Sequence, residues 1–447
     1  MTNDPTSARH RRVNWKSLGW TLFALLLIFN LIFFGFDAYP IVERKWQRIG
    51  IGTLDEKQFG QKVVERSVDM LWHPYPFRIN DESRYLLFEH LSGDMDVHAG
   101  RLDPEGAAQM PLPDSDWLLR DDTSPLGILA LGVIYYAERS PDPSKFTPAL
   151  ESYVAHFLDE EKGLKVKPTN VEQTCQGIAL TYLAAATGKP EYRRACDEIA
   201  QFYLESFRQT QQAIPYAVWD TDRFVLVDTL GMMGPFLLRY AALTGNTEAI
   251  DLAVFQMEQY FEHGVNQIND LPFHGYNPNR GNCPIGVATW GRGSGWLALG
   301  LQEMARWLPQ DHPKREAMLA HYRNLAEALR IKQRADGTWG NMLSLAVAQV
   351  DSSATAMICN FFLYGREAGI LGPEFDRPIE LAYEALQKNT RTDGTLDFCQ
   401  GPPISMNQHS RRWAPNRYGQ GALTSCIGLM QQRERQAKTS ETPKHNN

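Results

Sequence analysis

The stretch Trp290-Gly-Arg-Gly-Ser-Gly-Trp296 leads directly into the apolar segment 297–307, and this junction decides how the chain is expected to fold. Three glycines let the backbone turn sharply just before the apolar segment. An arginine on such a turn can bind a carboxylate with two hydrogen bonds. The two tryptophans can stack on a sugar ring. The alternative is a glycine-rich loop whose tryptophans fill the core.

A repeated pattern extends from this junction in both directions. Turns rich in Gly, Pro and Asp introduce helices with charges on one face, and each of these alternates with a more apolar helix. The apolar helices are predicted at about 123–138, 172–186, 228–243, 292–308, 351–369 and 418–431. Six buried helices alternating with six half-exposed ones predict an all-α fold, an (α/α)6 barrel.

Alternation makes the six inner helices parallel, so their N-termini open on one rim. The residues predicted at that rim are Asp121, Asp122, Glu172, Asp228, Arg292, Asp351, Ser352 and Tyr418. The acids and serines could simply cap helix N-termini. Capping does not explain Arg292, because a cation is disfavoured at a helix N-terminus. Carboxylates that converge with an arginine predict a funnel-shaped active site.

Composition narrows the function classes. The formal charge of -7 argues against a nucleic-acid binder, which would carry a basic stripe. The six cysteines are scattered without a C-x-x-C pair, and the histidines are dispersed, so no metal site and no cofactor are predicted. The aromatic content suits both a large core and a carbohydrate binder.

The N-terminal region predicts a membrane anchor. Residues 18–36 are uncharged and follow a basic segment, and a span of that length nearly crosses a hydrocarbon core of about 30 Å. A cleaved signal peptide is the alternative, but no small-residue cleavage site follows. We therefore predict a cytoplasmic N-terminus (1–17), a transmembrane helix (18–36), a linker (37–52), a catalytic domain (53–432) and a disordered tail (433–447). The protein would then sit in the inner membrane, with its catalytic domain facing the periplasm or exterior.

Several segments resemble one family when taken in order. They are 227–237 (Val-Asp-Thr-Leu-Gly-Met-Met-Gly-Pro-Phe-Leu), 274–276 (His-Gly-Tyr), 290–296, 351–357 (Asp-Ser-Ser-Ala-Thr-Ala-Met) and 418–422 (Tyr-Gly-Gln-Gly-Ala). Together they resemble the unsaturated glucuronyl and rhamnogalacturonyl hydrolases, glycoside hydrolase families 88 and 105. The resemblance implies an (α/α)6 barrel that removes a 4,5-unsaturated uronic acid from lyase-generated oligosaccharides.

The resemblance also implies roles for individual residues. Asp228 would protonate the double bond and then act as base, and His274 would bind a ring hydroxyl or the attacking water. Substrate-binding roles are implied for Trp290, Arg292, Trp296, Ser352 and Tyr276, with Arg292 on the substrate carboxylate or a neighbouring hydroxyl. The chain departs from the family where a second aspartate is usual, and only Glu172 stands there. Ser294 also replaces an asparagine in the central motif.

Two other functions remain open at this point. One is another (α/α)6 carbohydrate enzyme, such as an ordinary glycosidase or an epimerase, which needs a second essential carboxylate. The other is a non-catalytic glycan-binding barrel, for which the missing second aspartate is the best argument.

Overall fold

Apolar and half-polar helices alternate along the chain. The computed structural model describes residues 54–72, 123–159, 161, 163–217, 222–286, 288–401, 409–410 and 413–441. In these residues there are twelve α-helices: α1 (Glu56–Trp72), α2 (Thr123–Ala137), α3 (Thr147–Ala155), α4 (Gln176–Thr187), α5 (Pro190–Thr210), α6 (Asp228–Thr244), α7 (Thr247–His263), α8 (Gly291–Trp307), α9 (Arg315–Ile331), α10 (Ser352–Glu367), α11 (Asp376–Lys388) and α12 (Arg417–Glu441).

Five even-numbered helices, α2, α4, α6, α8 and α10, are buried almost all round, because their sequences carry few charges, and α12 is buried in the same way only as far as Leu429. In α8 every residue from Gly291 to Ala305 is buried. The odd-numbered helices bury one face only. In α11 the buried residues Ile379, Ala382, Ala385 and Leu386 recur at helical spacing, and the rest of the helix faces outward.

The even-numbered helices form a closed ring. Each packs against the next one along the chain, and α12 returns to pack against α2. Each odd-numbered helix lies outside the ring, against an even-numbered helix beside it in sequence. This is an (α/α)6-type arrangement, as the alternating pattern predicted, and the inner helices begin within about one turn of the predicted positions.

Contacts at the two ends show that the inner helices run parallel. At one end, Arg292 on the first turn of α8 donates to Ser353 on the first turn of α10. At the other end, near the C-termini of α2, α6 and α8, Tyr135, Arg239 and Glu303 meet in one buried network. All N-terminal ends therefore open on one rim.

The network at the far end fastens three inner helices together. The Glu303 side chain is fully buried, accepts a hydrogen bond from the Tyr135 hydroxyl and lies 3.0 Å from Arg239 Nε. Arg239 Nη1 is also 3.5 Å from Glu138. Burial raises the pKa of the Tyr135 hydroxyl, and the charge of Glu303 adds to that. Buried charges persist when they are paired in this way, so the network positions the helices as a unit.

Short strands decorate the loops between helices. They are β1 (Leu158–Asp159), β2 (Gly163–Leu164), β3 (Val225–Leu226), β4 (Val265–Asn266), β5 (Leu271–Pro272), β6 (Gly275–Asn277), β7 (Cys283–Ile285), β8 (Cys399–Gln400) and β9 (Trp413–Ala414). They pair antiparallel as β1–β2, β3–β6–β7, β4–β5 and β8–β9. In the three-stranded sheet, Val225 pairs with Tyr276 and Gly275 with Ile285.

Two predictions need correction. The single-pass anchor predicted at 18–36 is not supported, and neither is the inner-membrane location that follows from it. Among the described residues, no helix is long and apolar enough to cross a membrane. Residues 1–53, which include the predicted cytoplasmic segment, anchor and linker, lie outside the described residues. The predicted disordered tail begins too early, because α12 continues to Glu441.

Candidate functional site

Asp228 and His274 are brought together by the three-stranded sheet. Asp228 is the first residue of α6, separated from β3 by Val227 alone, and His274 directly precedes β6. The Val227 backbone N–H donates to the His274 carbonyl at 2.9 Å. The Asp228 carboxylate is 7% exposed, and its Oδ2 lies 3.5 Å from His274 Nε2. That oxygen has no hydrogen-bond partner among the described residues, so it can exchange a proton with a bound molecule.

The charges of Glu172 and Asp228 both act on one tyrosine, Tyr216. Glu172 opens the short 3₁₀ turn that precedes α4, and its Oε1 accepts a hydrogen bond from the Tyr216 hydroxyl. Burial raises the pKa of Tyr216 well above its ordinary value, and the charges of Glu172 and Asp228 raise it further. Both acids therefore act on the same hydroxyl. Tyr216 was not singled out from the sequence, because a lone tyrosine in a strand-like loop carries no motif.

Arg292 is largely engaged by the protein itself. Its guanidinium is buried, and its Nη1 donates to the Gln400 carbonyl and to Ser353 Oγ. Its Nη2 donates to the Gly401 carbonyl at 2.9 Å. These bonds fasten the segment after β8 to the barrel rim. Only Nε lacks a partner among the described residues, so a grip on a substrate carboxylate stays a prediction.

Three aromatic rings form one wall beside Asp228. The Trp290 ring centroid is 4.9 Å from that of His274 and 5.2 Å from that of His409, and the two histidine rings are 5.5 Å apart. Trp290 Nε1 donates to Gln400 Oε1 at 2.9 Å, which fixes the indole. His409 was missed because it stands alone in a polar stretch, and only the pairing of β8 with β9 brings it to the rim.

Tyr418 lies beside this cluster, next to Arg292. Its hydroxyl shares a 2.7 Å hydrogen bond with Ser124, and its ring lies 5.7 Å from the Arg292 guanidinium. Trp296, one turn further into α8, packs edge-on against Tyr418 with ring centroids 5.1 Å apart. Burial and the charge of Glu172 raise the pKa of Tyr418. Trp296 is 1% exposed, and it supports Tyr418 by packing against its ring.

The observed contacts of Tyr276 and Ser352 are with residues other than Asp228. The Tyr276 ring lies against Tyr260 and His263 of α7, with centroids 5.9 and 5.4 Å away. Ser352 Oγ accepts a hydrogen bond from Asn389 Nδ2 at 3.1 Å. The next serine along α10, Ser353, is the one that contacts Arg292. A substrate contact for Tyr276 or Ser352 stays a prediction.

The cluster brings together groups that are suited to acid–base chemistry. It combines two carboxylates, an imidazole, a buried cation and an aromatic wall in one place. No group of three or more His, Cys, Asp or Glu side chains in the described part of the chain is arranged to hold a metal ion. Asp121 and Asp122, which were also predicted at the rim, lie outside that part.

His409 should make the stability of the protein depend on pH. Burial, followed by the neighbouring His274 and Arg292, lowers the pKa of His409 to about 4 from an ordinary value of 6.5. Between those values the unfolded chain binds more protons than the folded one, so the free energy of unfolding should rise with pH. This slope is proportional to the number of extra protons that the unfolded chain binds. In His409→Gln it should fall by the contribution of up to about one proton. Urea denaturation at several pH values measures it.

A matched control lies on an outer turn. His312→Gln removes a histidine from the loop before α9, where the Lys314 backbone donates to its ring. Its slope is measured in the same series, for comparison with that of His409→Gln. An unchanged slope in His409→Gln would mean that His409 titrates alike in the folded and unfolded chains.

Comparisons with known proteins identify the family to which this chain belongs. The sequence profile of Glycosyl Hydrolase Family 88 matches residues 122–430, well over half of the chain. The unsaturated 3S-rhamnoglycuronyl hydrolase of Alteromonas sp. is 29% identical over 114 residues, which covers 25% of this chain and only 28% of that protein.

Solved structures with the same fold are more distant in sequence. A possible member of the GH105 family from Klebsiella pneumoniae has 17% identity and a TM-score of 0.64, over 77% of this chain and 100% of that one. The unsaturated glucuronyl hydrolase of Bacillus sp. GL1 has 17% identity and a TM-score of 0.56, over 71% and 87%. At this identity the two structures establish the shared fold.

Proposed function

Because the chain belongs to glycosyl hydrolase family 88, we propose that it removes a 4,5-unsaturated uronic acid from the non-reducing end of oligosaccharides produced by a polysaccharide lyase. The observation that supports this best is Asp228, a buried acid with one unpartnered oxygen beside His274. A single carboxylate suffices for this reaction, because it can give a proton to the double bond and later take one from water.

The proposed reaction begins with protonation of the vinyl ether. Asp228 gives its proton to the double-bond carbon away from the ring oxygen, and positive charge develops on the carbon beside that oxygen. Water attacks that carbon and returns a proton to Asp228. The resulting hemiketal opens and releases the next sugar. His274, 3.5 Å from Asp228 Oδ2, is placed to orient the water or a ring hydroxyl.

The aromatic wall and Glu172 complete the proposed site. The buried Trp290 ring packs against His274 beside Asp228, and we propose that the sugar lies against this aromatic wall. Glu172 stands in place of the second aspartate and supplies a negative charge near the acid. Positive charge that develops on the ring during protonation is stabilised by a nearby carboxylate.

The test uses unsaturated disaccharides made by lyases from several uronic polysaccharides. The protein is incubated with each, and the ultraviolet absorbance of the conjugated enol carboxylate is followed. We expect the absorbance to fall for at least one substrate, and the matching saturated glycosides to remain intact. Turnover of saturated glycosides would instead indicate an ordinary glycosidase. A folded protein that consumes none of these compounds would indicate a glycan-binding barrel.

A further inference from the structure

Tyr216 is tied by its backbone to both acids of the proposed site. The Val171 N–H, next to Glu172, donates to the Tyr216 carbonyl at 3.0 Å. The Tyr216 N–H donates to the Phe224 carbonyl at 2.9 Å, and Phe224 leads through β3 to Asp228. One residue thus connects the turn that carries Glu172 with the strand that delivers Asp228.

The side chain repeats this connection. The Tyr216 hydroxyl donates to Glu172 Oε1, and the charged groups that act on it are Glu172 and Asp228, with Tyr418 as a third titratable neighbour. These groups and burial raise the pKa of the hydroxyl well above its ordinary value. The hydroxyl therefore keeps its proton and donates it in the hydrogen bond to Glu172.

A hydrogen bond donated to a carboxylate favours the charged form of that carboxylate. Without the hydroxyl, Glu172 could rotate or take up a proton as the pH falls. We propose that Tyr216 is a positioning residue, whose hydroxyl holds Glu172 as an oriented anion and so sets the acidic limit of activity. This inference rests on the proposed function, because Glu172 matters only if the site carries out the reaction.

The test is the pH–rate profile of Tyr216→Phe on an unsaturated disaccharide that the wild type consumes. Losing a hydrogen bond to a charged group should move the acidic limb of kcat up by roughly one to two pH units. Below that limb the variant should be about 10- to 100-fold slower than wild type. Above the shifted limb, where Glu172 is charged in both proteins, the variant should differ from wild type by less than it does below the limb.

The chain supplies a matched control. Tyr192 is also buried and donates to a glutamate, Glu151, at 3.2 Å, but on the outer helices α5 and α3. Tyr192→Phe makes the same chemical change away from the site, and its pH profile should match wild type.

Glu172→Gln changes the acceptor of the Tyr216–Glu172 hydrogen bond and leaves Tyr216 in place. This variant should lose the acidic limb, and adding Tyr216→Phe to it should cause no further shift, because the two residues act as one unit.

An acidic limb in Tyr216→Phe that coincides with wild type overturns the inference, even if the rate is lower. A wild type inactive on every unsaturated disaccharide overturns the proposed function itself, which is a different result. If Tyr216→Phe fails to fold, an acidic limb that persists in Glu172→Gln decides against the inference.

Discussion

Asp228→Asn should lower kcat on an unsaturated uronyl disaccharide by about 10²- to 10⁴-fold, the range lost with an essential general acid. The amide has nearly the same shape as the carboxyl group, but it has no acidic proton to give to a carbon atom. The change should leave the fold intact, because Oδ2 makes no hydrogen bond to the described residues. Absorbance of the enol carboxylate measures the rate, and circular dichroism checks the helices.

The competing explanation is that Asp228 only stabilises the start of α6. An acid in the first turn of a helix interacts favourably with the helix dipole, typically by about 0.3–1 kcal/mol. Asp376 tests this, because it is the first residue of the outer helix α11, as Asp228 is of α6. Asp376 also pairs with Arg366 and Arg433, so Asp376→Asn should cost stability and leave kcat unchanged.

Comparable activity losses in the two variants would assign Asp228 a capping role only. Substrate binding separates the remaining cases. Asp228→Asn should still bind the unsaturated disaccharide with an affinity near the wild-type KM, because the aromatic wall and Arg292 are untouched. A variant that neither turns over nor binds the sugar would point to a damaged pocket and would not identify the acid.

The sequence predicted the fold well because the deciding features are local. A run such as α6 has apolar residues on every side, begins at Asp228 and ends at Gly245, whose positive φ of 75° suits glycine. Such runs must be buried, and their alternation with one-faced helices leaves few other arrangements. The predicted range 228–243 differs from the observed helix by one residue at its C-terminal end.

The site was predicted less completely because its contacts join distant parts of the chain. Asp228 and His274 lie 3.5 Å apart, and the charges of Asp228 and Glu172 both act on Tyr216. Their roles in binding or catalysis stay predictions. The partners of Arg292 are carbonyls more than a hundred residues away, which no local pattern reveals. Ser352 and Ser353 differ by one helical position, and that rotation alone decides which of them contacts Arg292.

Gly132→Ala should destabilise the protein by about 3 kcal/mol or more, because it forces apart the seam between α2 and α12 that closes the ring. A Cβ at Gly132 would lie 2.0 Å from the Gly421 carbonyl oxygen, and backbone on both sides leaves no flexible group to move. Gly234→Ala is the control: it also lies in an inner helix, α6, but its nearest neighbour would be 4.0 Å away. That change should gain up to about 1 kcal/mol from helix propensity. Urea denaturation of both variants measures the difference.

The same seam reaches the site, so this variant should also affect activity. Ser124 on α2 and Tyr418 on α12 share a hydrogen bond across it, and Tyr418 lies beside Arg292. If the two helices separate, Tyr418 moves with α12, and we expect a several-fold rise in KM in whatever Gly132→Ala protein remains folded. Equal stabilities of Gly132→Ala and Gly234→Ala would mean that α2 and α12 do not approach as closely as described. The ring would then be closed by side-chain packing, with no need for glycine at the seam.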